Sequence, residues 1–158
     1  MPVLDSPFDL PRGRLLALDL GQARIGVAVS DEQGIVARPL TVVRRTSRIE
    51  DFAALARLVE QERALGVLAG LPLDSHGEIG PQARWARRYG GDLARRVQTP
   101  VAFWDESYST VDAAGLMRDT GARTAVDAVA AAVILRDFLE ARRARDRAAE
   151  GETVDREI

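Results

Sequence analysis

Residues 14–20 (RLLALDL) form an apolar run interrupted near its end by Asp19, and 25–30 (IGVAVS) form a second run beyond the polar turn 21–24. Runs this short and this rich in Leu, Ile and Val read as buried strands. Residues 31–34 (DEQG) have hairpin-turn composition and lead to a third strand over 35–43. Three strands spaced so closely predict an antiparallel meander. The period then changes. Phe52, Leu55, Ala56 and Val59 recur at helical spacing within 48–63, with Arg and Glu on the other face. Residues 65–71 are a short buried strand ending at Pro72. Gly80-Pro81 opens a second helix, proline being suited to a first helical turn, and there Trp85, Tyr89 and Leu93 make an inward stripe. A last strand follows over 101–104, then a short helix over 110–118 and a long one over 124–145. The predicted fold is α/β, a five-stranded mixed sheet with helices on both faces. Residues 1–13 carry three prolines and no periodicity, the mark of a loose lead-in. The domain itself spans 14–141, and the mixed-charge run 142–158 is expected to fray.

The first strand contains an expensive residue. A carboxylate in an apolar strand loses its hydration unless a cation or a proton compensates. Two further acids sit in equally apolar surroundings: Glu106 after VAFWD, and Asp127 within AVDAVAAAVIL. Asp19 and Glu106 fall at carboxyl ends of strands, where ligands gather in such sheets. Asp127 shares a helix face with Ala130, Ala131, Ile134 and Phe138. Each has an ordinary explanation taken singly. Asp19 would bond its own turn, Glu106 would meet an arginine, and Asp127 would face the helix N-terminal dipole. Together they make a candidate site for Mg2+ or Mn2+, which prefer oxygen donors. Two such ions about 4 Å apart can activate a water and stabilise the leaving oxygen of a phosphodiester. Asp19, Glu106 and Asp127 are therefore the candidate catalytic and metal-binding residues of a nuclease.

Composition narrows the chemistry. A chain of 158 residues is one domain. No apolar run approaches the ~20 residues of a membrane span, and no secretory pattern opens the chain, so a cytoplasmic protein is predicted. Cysteine is absent, which excludes disulfides and thiolate metal sites. The single histidine, His76, argues against histidine-rich zinc sites and serine–histidine hydrolysis, and reads as an exposed loop residue. Net charge is −2, yet every one of the 22 basic residues is arginine. Arg84, Arg87, Arg88, Arg95 and Arg96 make a stripe on the second helix, a candidate for sequence-independent phosphate contacts or simply solvated surface. Arg24 follows the first strand, placed to clamp a scissile phosphate or to neutralise Asp19. Gly21 and Gly26 would permit tight backbone geometry beside a substrate.

These residues resemble a known family. ALDLGQARIGVAVSD, GLPLDSHGEIGPQARWA, DESYSTVDAAGLM and VDAVAAAVIL look like the successive blocks of the YqgF/RuvX family, over roughly 14–140. Its members are Holliday junction resolvase-like proteins of ribonuclease H-like fold, also described as pre-16S rRNA nucleases. The pattern D-x-G-x-x-R-x-G-V-A is matched by Asp19, Gly21, Arg24, Gly26, Val27 and Ala28, and G-L-P by Gly70, Leu71 and Pro72. The acidic pair falls on Asp105 and Glu106, followed by Ser109, Thr110 and Val111, and the last aspartate on Asp127. By that resemblance Asp19, Glu106 and Asp127 are catalytic metal ligands, and Gly21, Arg24, Ser109 and Thr110 lie against substrate. Two features depart from it. Ser107 stands where arginine is common, and the loop before Asp127 is short and without lysine, leaving Arg118 and Arg123 as replacement grips. The implied function is metal-dependent cleavage of structured nucleic acid, most readily at the 5′ end of pre-16S rRNA. Resolution of branched DNA, which needs two symmetric cuts and hence a homodimer, is the neighbouring reading. A silent nucleic-acid-binding module is an alternative from another class. An actin-like nucleotide binder would need a second domain that this length excludes.

Overall fold

The computed structural model describes residues 3–72, 76, 80–105 and 123–157, with side chains over 126–151 of the last segment. The meander is β1 (Leu15–Leu20), β2 (Arg24–Ser30) and β3 (Ala37–Arg44). Helix α1 (Arg48–Glu62) leads to β4 (Gly66–Leu71), α2 (Pro81–Val97) to β5 (Val101–Asp105), and α3 (Arg123–Glu157) closes the chain. The sheet order is β3-β2-β1-β4-β5. The first three strands are antiparallel, while β1, β4 and β5 run parallel, so their carboxyl ends lie along one margin. This is the predicted mixed sheet. The short helix expected over 110–118 lies outside the described residues.

Side-chain alternation divides the core in two. Leu16, Leu18 and Leu20 pack with α1 and α2 on one face. Leu15 and Ala17 pack with Ala131, Ile134, Leu135 and Phe138 of α3 on the other. All six residues of β4 are buried, as expected for a parallel strand covered from both sides. Tyr89 and Leu93 confirm the inward stripe of α2. The termini of α1 follow familiar chemistry: Ser47 accepts from the amide of Glu50, and Arg63 ends the helix in the left-handed region at φ 54°.

The two chain ends differ from expectation. Residues 3–12 are docked rather than loose. Val3 bridges β5 at Val101, the Leu4 amide donates to the Val101 carbonyl at 2.8 Å, and Pro7–Asp9 form a 3-10 turn. Phe8 sits against Trp104 and Phe138, and Leu10 is buried. Such a segment shows no periodicity because it anchors through isolated apolar residues. At the other end, the charged run 142–157 continues α3 as helix instead of fraying from its start. Arg12 holds Asp146 through two hydrogen bonds of 2.6 and 2.8 Å, and Arg143 donates to the carbonyls of Gly34 and Ile35. Those charges have partners distant in sequence. No helix among the described residues is long and apolar enough to cross a membrane.

Candidate active site

Asp19 shares the strand parity of Leu15 and Ala17, so its side chain emerges on the α3 face. It stands opposite Gly26 of β2. That glycine has a steric purpose. A Cβ at 26 would lie 1.8 Å from the carbonyl oxygen of Asp127, so only a bare backbone lets α3 come down on the strand. The contact brings Asp127 beside Asp19. Gly21 closes the β1–β2 turn, its amide donating to the Arg24 carbonyl at 3.0 Å, and a Cβ there would meet that oxygen at 2.4 Å.

The two carboxylates are not equivalent. Asp127 accepts from Arg24 Nε at 2.7 Å, with the arginine 44% and the aspartate 24% exposed. Asp19 makes no hydrogen bond or ion pair among the described residues. Burial, and then the charge of Asp127, push its carboxyl up to about 6. The site is thus short of positive charge at its inner end. Hard oxygen donors of this kind suit Mg2+ or Mn2+. Among the described residues no three His, Cys, Asp or Glu converge on one point. Glu106, proposed as the third ligand, lies outside the described residues, as do Ser109 and Thr110. Arg123 begins α3, and its side chain is likewise not described.

The structure also sorts the arginines. Arg84, Arg87 and Arg88 are exposed on α2, which covers the face opposite Asp19 and Asp127. Arg87 reaches the strand ends, where with Leu4, Phe8, Leu71, Trp104 and Asp105 it lines a cavity of about 800 Å3. His76 is exposed in a turn, as expected. Two arginines that the sequence did not single out border the site. Arg44 stands directly across from Arg24, and Arg45 holds the β1–β2 turn by donating to the Gly21 and Gln22 carbonyls. The signal was the doublet at the end of β3, whose alternation puts one guanidinium on each face of the sheet.

Gly26→Ala is expected to force α3 off β2. The clash is with backbone, which cannot rotate away, so the loss of stability falls at or above the upper end of the usual 1–3 kcal/mol for overpacking. Urea denaturation measures it, and cleavage should fail in the same variant. A loss below about 1 kcal/mol with full activity would show that the close approach is dispensable.

Comparison with known proteins places this geometry. The family model described as "RuvX: Holliday junction resolvase" matches residues 13–141. A protein of Anaeromyxobacter sp. named as a pre-16S rRNA nuclease is 43% identical over 136 residues, covering 83% of this chain and 99% of its own length. A Myxococcus xanthus protein of the same name is 41% identical over 138 residues, covering 84% and 91%. Among solved structures, Thermus thermophilus RuvC in complex with a Holliday junction superposes with a TM-score of 0.53 at 18% identity, covering 82% of this chain and 95% of that one. The fowlpox virus resolvase bound to junction DNA gives 0.53 at 9% identity, covering 81% and 97%. These two likenesses establish the ribonuclease H-like fold.

Proposed function

The chain belongs to the RuvX family and is a nuclease of that type, and from this premise we propose that it processes the 5′ end of pre-16S rRNA in the cytoplasm. Asp19, Glu106 and Asp127 hold one or two Mg2+ or Mn2+ ions in this reading. The observation that carries it is Asp19, a half-buried carboxylate beside a second one and without an ion pair of its own among the described residues. Bound there, the ions supply the charge that activates a water and stabilises the leaving oxygen of a phosphodiester. The residues of the chain do the rest. Arg24 neutralises Asp127 and stands ready to orient a phosphate, while the tight turn at Gly21 keeps Arg24 and Asp19 on one short stretch of backbone. RNA is favoured over branched DNA because relatives identical at about 40% carry rRNA-nuclease names.

The test compares cleavage of a 5′-extended 16S rRNA fragment and a DNA four-way junction, each with Mg2+ and with Mn2+. Cleavage of the RNA, lost on chelation, is the expected result. Paired symmetric cuts in the junction with the RNA intact would replace this reading by junction resolution, which also requires a homodimer in solution. Binding without cleavage of either substrate would leave only a nucleic-acid-binding module.

A further inference from the structure

We propose that Arg44 and Arg24, facing each other across β2 and β3, form a phosphate subsite that grips the nucleic-acid backbone beside the carboxylates. The inference rests on the nuclease reading above and extends it to a second point of contact on the substrate. The register pairs Arg24 with Arg44 directly, and Gly26 with Val42 one step further in. Arg24 bonds Asp127 of α3, so both guanidiniums belong to the face that carries Asp19 and Asp127. Like charges directly opposite in an antiparallel pair are destabilising. Arg24 is partly compensated by Asp127. Arg44 is exposed and has no acidic partner among the described residues.

The space is also suitable. A groove of about 440 Å3 runs between Arg24, Arg44, the stretch 39–42 of β3 and Ala128 of α3. Through Arg24 and Ala128 it lies next to Asp127, and β3 is an edge strand of the sheet. Asp19 and Asp127 would repel a polyanion, so a substrate needs compensating charge nearby. Two planar guanidiniums supply it, with a geometry that matches phosphate oxygens in bidentate fashion. A nucleotide chain entering along β3 would set one phosphate between the arginines and the next beside the carboxylates. Such contacts fix position and register and carry no sequence information.

Binding can be measured without cleavage in an Asp19→Asn background, using the 5′-extended rRNA fragment and the four-way junction over a salt series. Arg44→Ala is expected to weaken binding several-fold at about 0.1 M salt and to flatten the log–log salt slope by roughly 0.7–0.9, the value for one lost phosphate contact. Arg57→Ala removes the same charge from the exposed surface of α1, on the other face, and should change neither quantity. Arg44→Gln keeps a long side chain on the strand and must reproduce the slope loss. Equal affinities and slopes for wild type, both Arg44 variants and Arg57→Ala would overturn the subsite. Failure of the rRNA reading appears separately, as wild-type protein that binds but does not cut the RNA.

Discussion

Asp19→Asn is expected to abolish metal-dependent cleavage and, in the same protein, to raise its stability at neutral pH. In the folded chain the carboxyl titrates near 6, held up by burial and by Asp127, whereas its ordinary value is 3.8. Between those values the native state binds more protons than the unfolded one, so stability falls as pH rises. The contribution is fully present below about pH 4 and is lost as pH climbs through 6. A gap of about two units corresponds to roughly 3 kcal/mol, an order-of-magnitude figure. Asparagine has nearly the same shape and no charge to desolvate, so it escapes this loss at every pH. The variant should melt higher than wild type at pH 7 with chelator present, by on the order of 5–10 °C for a domain of this size, and the difference should vanish near pH 4. Adding Mg2+ or Mn2+ should then raise the melting temperature of wild type and leave the variant nearly unchanged, because a ligand stabilises only the state that binds it. A variant that still cleaves removes Asp19 from the mechanism. One that melts no higher than wild type at pH 7 removes the electrostatic argument.

The same residue shows what could be read without coordinates. Strand alternation and one out-of-place carboxylate sufficed to locate β1 and to single out a candidate site, because a charge in an apolar strand contradicts its own neighbourhood and so announces itself. The helix face of Asp127 was equally legible, since Ala131, Ile134 and Phe138 repeat at helical spacing and are buried in α3. The docked lead-in was not legible, because Leu4, Phe8 and Leu10 follow no period and meet β5 and α3 only in the folded chain. The place of the α2 arginine stripe was not legible either, for a related reason. Periodicity says which residues share a helix face, and not which side of the sheet the helix covers, and α2 lies across the sheet from Asp19. Arg44 and Arg45 were obscured by being adjacent. As a pair they look like surface charge, and only strand parity gives one to the groove and the other to the interior.

Arg45→Ala is the second change with a large expected effect, because it leaves a buried charge without its partner. Asp51 is 1% exposed. Its carboxylate accepts from Arg45 Nε at 3.3 Å, from the Tyr89 hydroxyl at 3.2 Å and from the Thr46 amide at 3.0 Å. The guanidinium lies 4.7 Å from the Trp85 ring centre and 4.9 Å from that of Tyr89. Burial, reinforced by Asp51, keeps the Tyr89 hydroxyl protonated and so available as donor. Removing one partner of a buried pair costs about 3–5 kcal/mol, since the remaining charge keeps its desolvation penalty. Neutralising both should restore much of it, so Arg45→Met combined with Asp51→Asn is expected to unfold at a higher urea concentration than Arg45→Ala alone. Activity should not return in step. Arg45 also ties the carbonyls of Gly21 and Gln22, and its own amide donates to Ala23 at 3.0 Å, so it fixes the turn that joins Asp19 to Arg24. The refolded double variant should therefore bind RNA with little change and cut it more slowly, a fall in kcat with KM preserved. A double variant with both stability and kcat at wild-type level would show that the turn keeps its shape without this anchor. Loss of less than about 1 kcal/mol in Arg45→Ala would show that water already reaches Asp51.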